Sequence, residues 1–254
     1  MDDGILIDKK KGSEIPTRMW VAAFLVSQPS FLFGYATAAL NACLVVGDGD
    51  SAGACYDNTD DESTNCPPGT LFNDIKMTTT EAEIATSLLV LGAWIGCLLG
   101  NAPSETYGRR LTTLGNNLFF IIGAVLCCIA DKWVLFLGRF ICGLGVGIES
   151  VVVPVLLSEI ASPDTRGTIT TLHQLMITFG IFVAGLLGFA FVNYVSSGWV
   201  GVQAMIAIPA VLMLVCMPLV PESPKWLLIR GKKEEAVATM KSLRSEGYDV
   251  DAEV

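Results

Sequence analysis

Charge is scarce in this chain. Asp, Glu, Lys and Arg make up 16% of its 254 residues, against about 25% in a soluble domain. Histidine is nearly absent. His173 is the single one, which excludes a multi-histidine metal site. No Cys-x-x-Cys pair occurs among the eight cysteines, so zinc and dithiol redox motifs have no footing. There is no surplus of positive charge either: the formal net charge is -9, which argues against a nucleic-acid partner. The loops hold no nucleophile–base pair and no metal cluster, so the sequence does not read as an enzyme and implies no cofactor.

What is there is apolar. Hydrophobic residues reach 52% and the mean hydropathy is +0.56. A helix that crosses a bilayer needs about 20 largely apolar residues, and six runs qualify: Met19–Val46, Glu81–Ala102, Leu111–Ala130, Trp133–Leu157, Thr168–Val195 and Gly198–Val220. Backbone polar groups in lipid must be satisfied within the segment, so each run is predicted to be a helix. The first is too long for a cleavable signal peptide. It also follows a polar, lysine-containing lead with no small-residue cleavage site in the usual place. The expected division is residues 1–18 as an N-terminal segment, 19–220 as a six-helix bundle and 221–254 as the start of a linker.

Basic residues set the expected orientation. If the N-terminus is cytoplasmic, thirteen of the 16 Lys and Arg fall inside, and Lys76, Lys132 and Arg139 fall outside. That matches the positive-inside rule, so both termini are expected in the cytoplasm. The acidic, turn-rich loop 47–80 then faces an oxidising exterior, where a Cys55–Cys66 disulfide is permitted. The other cysteines sit in apolar runs and read as packing residues.

The densest cluster of motifs runs from Gly138 to Gln174, GRFICGLGVGIESVVVPVLLSEIASPDTRGTITTLHQ. Small residues here let membrane helices pack closely. Glu105, Arg109, Arg110, Glu159, Arg166 and Glu222 all fall at the inner ends of the spans. The two arginines after Gly108 fix topology. They and Arg166 also suit a gate, since guanidinium forks pair with carboxylates and such pairs hold helix ends together in one state and release them in another. Pro221-Glu222-Ser223-Pro224 ends the sixth run, because proline cannot continue a helix. Ala236, Val237, Met240 and Leu243 follow at helical spacing in a short amphipathic segment.

Two polar residues lie within the spans. The Gln174 amide offers donors and acceptors that suit sugar hydroxyls, or a helix–helix hydrogen bond. Thr178 stands one turn further on. Glu149 lies mid-span, where a carboxylate faces a cavity or a partner and not lipid. It reads as a substrate contact, a proton carrier or a structural partner. His173 reads as structural.

Taken together, Gly138-Arg139, Glu159, Pro163, Arg166-Gly167, Leu172-His173-Gln174-Leu175 and Pro221-Glu222-Ser223-Pro224, with Gly34-Tyr35 in the first run, resemble the sugar porter family of the major facilitator superfamily. The Thr171–Leu175 run is most similar to the facilitative glucose transporter branch. The resemblance covers nearly the whole chain, and it implies an all-α membrane protein whose six helices form the N-terminal half of a twelve-helix transporter. The solute would lie between two halves near the midplane. The implied partners are a hexose, the lipid bilayer and a C-terminal six-helix half, in the plasma membrane. The chain is then a fragment, a truncated product, or one of a pair.

Gln174, Thr178 and Glu149 are the substrate candidates, and the charged set above is the gate. Three departures stand out. Asn101, Glu105 and Thr106 replace the family's glycine, aspartate and basic residue after span two. Leu156 replaces a tyrosine. Ala36 stands where proton-coupled relatives carry an aspartate, which favours uniport. A proton-coupled sugar, polyol or inositol carrier, or a non-transporting sugar sensor, is the alternative.

Overall fold

The computed structural model describes residues 16–44, 69–75, 77–216 and 219–244. Cys55 and Cys66 lie outside the described residues. The elements are α1 (Thr17–Leu44), α2 (Leu71–Ile75), α3 (Thr79–Tyr107), α4 (Arg109–Cys127), α5 (Lys132–Ile160), α6 (Arg166–Tyr194), α7 (Gly198–Ala204), α8 (Ala207–Cys216), α9 (Pro224–Ile229) and α10 (Lys233–Leu243). Among the described residues six spans are long and apolar enough to cross a membrane, with α7 and α8 together forming the sixth.

Several ends differ from those expected. α3 starts at a capping box: Thr78 Oγ1 accepts from the Glu81 N–H (3.2 Å) and Glu81 Oε2 from the Thr78 N–H (3.0 Å). It then runs through Pro103 to Tyr107, beyond Ala102. The sixth run is not one helix but two, broken at Met205–Ile206. The cause is Pro209. It has no N–H for the Met205 carbonyl, and its ring crowds that carbonyl.

Small residues set the helix pairs. α3 and α5 are seamed by Gly92, Gly96, Gly143 and Gly147. A Cβ on Gly92 would strike the Phe140 carbonyl, one on Gly96 that of Leu144, one on Gly143 that of Leu89 and one on Gly147 that of Ala93. α1 and α6 meet in the same way, Gly34 on the Ile177 carbonyl and Gly180 on that of Phe31. Backbones in such contact gain dispersion and packing energy that lipid cannot match. The buried cluster around Leu32, Tyr35, Phe120 and Trp199 fills one part of the bundle, and Met19, Val153, Leu157 and Ile160 fill another. Polar ties also join distant segments. Tyr35 Oη donates to the Val202 carbonyl (3.0 Å), and Trp199 Nε1 donates to Asp74 (2.7 Å).

Candidate functional site: a charged helix-end cluster and a polar stripe

Chain geometry brings the start of α4 beneath the end of α5. Gly108 has φ +98°, a backbone that side chains disfavour, and this sharp reversal between α3 and α4 puts Arg109 on the inner side. Arg109 and Glu159 meet side-on. Nε lies 3.0 Å from Oε2, and Nη2 donates to Oε1 at 3.3 Å, with both side chains nearly buried. Nη1 donates to the Ser104 carbonyl.

The second carboxylate acts on backbone. Glu222 Oε1 accepts from the N–H groups of Arg109 (3.0 Å), Arg110 (3.2 Å) and Ser223 (2.9 Å). A negative charge there satisfies the orphan donors of the first turn and complements the helix dipole. Ser223 joins the two carboxylates: its hydroxyl donates to Glu159 Oε2 at 2.6 Å and caps α9 by accepting from the Trp226 N–H. The cluster therefore ties α4, α5 and the segment after α8 into one knot.

Arg109, Glu159 and Glu222 are brought together as the sequence suggested. Arg110 enters through its backbone N–H. Glu105 enters through its carbonyl, which accepts from Trp226 Nε1 (2.8 Å) and Arg230 Nη2 (3.1 Å). Arg166 is exposed at the start of α6 and makes no ion pair among the described residues. Sequence reasoning missed Ser104, Ser223, Arg230 and Arg244. Ser223 was visible as a serine before Pro-Lys-Trp, a helix-start signal. Arg244 was not: it donates to the Ile160 carbonyl at 2.7 Å, from 84 residues away.

The other candidates separate onto different faces. On α6, His173 turns inward and its Nδ1 meets Ser30 Oγ at 2.8 Å. Gln174, about 100° further round the helix, is exposed, with its amide unbonded among the described residues. Thr178 is exposed on the same face, its hydroxyl donating to the Gln174 carbonyl (3.0 Å), with Thr171 one turn before. Phe179 borders this stripe and contacts Phe31 at 5.8 Å between ring centroids. Glu149 does not join it. It is buried on α5 and accepts from Asn116 Nδ2 of α4 at 2.8 Å.

Six such helices, with a charged knot at one end and a short helical linker beyond it, define half of a major facilitator fold. The chain superposes on the partially occluded inward-open xylose transporter XylE from E. coli with a TM-score of 0.76 and 22% identity, covering 93% of this chain and 56% of that one. Residues 22–254 match the family described as "Sugar (and other) transporter", and the chain belongs to that family. Similar curated proteins include the probable metabolite transport protein CsbC of Bacillus subtilis, 37% identical over 72% of this chain and 39% of the relative. The glucose transporter GlcP of Staphylococcus epidermidis is 35% identical over 72% of this chain and 41% of its own. The proton myo-inositol cotransporter hmit-1.2 of Caenorhabditis elegans is 32% identical over 84% and 32%. The chain thus spans between about a third and two fifths of the length of these three relatives. Membership in a family of transporters agrees with the lack of catalytic motifs in the sequence.

Proposed function

We propose that this chain supplies one wall of a passage for a hexose, moved by alternating access and without coupling to protons. The observation that carries the reading is the Thr171–Gln174–Thr178 stripe. A bundle face turned to lipid has no use for an unbonded amide. A face turned to a sugar does, because neutral amides and hydroxyls both donate and accept. Thr178 offers its oxygen as an acceptor beside the amide.

The Arg109–Glu159–Glu222 knot is proposed as the inner gate, with Arg110, Glu105 and Arg166 at its border. A second six-helix half, in the same polypeptide or a separate one, completes the cavity. The distribution of basic residues supports cytoplasmic termini, and the plasma membrane is the proposed location. Ala36, in place of an aspartate, supports uniport.

A coupled carrier of inositol or a related polyol is the second reading. It is favoured by Glu149, a carboxylate within the membrane, and by the likeness to a proton myo-inositol cotransporter. Uptake of labelled glucose and myo-inositol into transport-deficient cells, in the complete natural reading frame and with and without a proton uncoupler, separates the two. Hexose equilibration that ignores the uncoupler supports the first. Uncoupler-sensitive accumulation of either solute replaces it with the second.

A further inference from the structure

Helices α3 and α5 start side by side at the end away from the charged knot, and a groove of about 560 Å³ opens between them there. Ile84 and Leu88 of α3 and Trp133, Leu137 and Phe140 of α5 form its apolar walls, and Glu81 stands at its rim. Glu81 Oε1 pairs with Lys132 Nζ at 2.7 Å, and Oε2 accepts from the Thr78 N–H. Neither side chain is closed off: Lys132 is 37% exposed and Glu81 25%. An ammonium carries three donors, and among the described residues Lys132 spends one of them, on Glu81. Trp133 is largely exposed, and its ring lies edge-on to Phe136 at 5.8 Å between centroids. Its indole N–H meets no acceptor among the described residues, since the bond from Trp133 to Asp131 Oδ1 (2.9 Å) is made by the backbone N–H.

Tryptophan in the first turn of a span marks the headgroup level of a bilayer. Below it, Ile84, Leu91 and Leu98 recur every seven residues and carry an exposed apolar face down α3. The groove thus leads from headgroups into hydrocarbon. Its occupant needs an apolar tail, an acceptor for the indole N–H, an anionic group for Lys132 and a cationic donor for Glu81. A glycerophospholipid supplies the tail, the ester carbonyls and the phosphate. Charge selects the head. Asp131, next to Lys132 in the chain, caps α5 with its carboxylate, so the rim sets two carboxylates against one ammonium. That disfavours a head of net negative charge. A primary ammonium can donate to Glu81, whereas a trimethylammonium has no N–H. A sterol hydroxyl answers only one of the three polar groups.

We propose that this groove binds phosphatidylethanolamine. Its acyl chain lies against Leu88, Leu137 and Phe140, an ester carbonyl accepts from Trp133 Nε1, the phosphate accepts from Lys132 and the ammonium donates to Glu81. The site is independent of which solute the passage carries.

The test offers the full chain, in detergent micelles, equal amounts of phosphatidylethanolamine, its N,N-dimethyl derivative, phosphatidylcholine and phosphatidylglycerol with the same acyl chains. Native mass spectrometry counts the lipids retained. Phosphatidylethanolamine is expected to be held about tenfold better than phosphatidylcholine, the worth of one charge-assisted hydrogen bond. The dimethyl lipid should fall between them, and phosphatidylglycerol should do no better than phosphatidylcholine. Phosphatidylethanolamine with a diazirine in its acyl chain should label peptides that carry Leu88, Leu137 or Phe140. Glu81→Gln keeps an acceptor for the Thr78 N–H, so the fold should hold by thermal melting while the advantage over phosphatidylcholine disappears. Trp133→Phe should weaken both lipids alike and leave their ratio unchanged. Equal retention of the two lipids overturns the proposal, as does label elsewhere only, or an advantage that survives Glu81→Gln. If Glu81→Gln fails to fold, retention and labelling in the unmodified chain decide alone.

Discussion

Arg139 donates from Nη1 to the carbonyl of Ala36 at 2.8 Å, its one hydrogen bond among the described residues. The side chain is fully buried, and Nε and Nη2 meet no acceptor. The thiols of Cys43, Cys127 and Cys142 lie in its electrostatic surroundings. Among the described residues a guanidinium so placed has no carboxylate to compensate its lost hydration. Ala36→Asp should therefore be tolerated far better with Arg139 present than in an Arg139→Met background. The coupling expected from a double-mutant cycle on thermal stability is about 1 to 3 kcal/mol in favour of the pair. A coupling near zero would mean that the new carboxylate does not reach the guanidinium.

Glu159 has two partners, Arg109 and Ser223. Glu159→Ala strands a nearly buried arginine and should cost about 3 to 5 kcal/mol. Ser223→Ala removes a cap and a hydrogen bond to a carboxylate, and should cost about 1 kcal/mol. Unfolding of the two variants in detergent checks the order. Equal losses would mean that the ion pair contributes no more than the cap.

Gly108 combines an unusual backbone with a close neighbour. At φ +98° and ψ 161° it lies in a region occupied essentially by glycine, and a Cβ there would press on Glu222 Oε2. Gly108→Ala should lose about 1 to 3 kcal/mol. Adding Glu222→Ala removes the contact but not the backbone strain, so rescue should be partial. Complete rescue would place the whole cost in the contact.

His173 and Gln174 are adjacent in sequence and opposite in role. His173→Ala breaks the bond to Ser30 and should lower the melting temperature, by about 1 kcal/mol in stability. Gln174→Ala loses no side-chain bond among the described residues, so stability should hold. Hexose uptake by the complete transporter should then fall through a raised KM of about tenfold, one good hydrogen bond. An unchanged KM would remove Gln174 from the passage.

Apolar runs of sufficient length made the six spans legible, because the bilayer leaves the backbone so few options. The break in the sixth was equally present in the sequence as Pro209, but hydropathy outweighed it. Arg109, Glu159 and Glu222 could be grouped because each sits at the same end of its span. What could not be read was which atoms they use. Glu222 caps a helix through backbone N–H groups, and Glu105 contributes a carbonyl, and neither use leaves a mark in residue type. Asn116 went unnoticed for a related reason: only the packing of α4 on α5 reveals that Glu149 faces it.

The glycine seam between α3 and α5 also limits motion. Gly92, Gly96, Gly143 and Gly147 each rest on a carbonyl of the opposing helix, so neither rod can slide lengthwise without driving an oxygen into a Cα. The two helices must travel together. Any bending or rotation in the bundle is left to joints with more slack, such as the turn at Met205–Ile206.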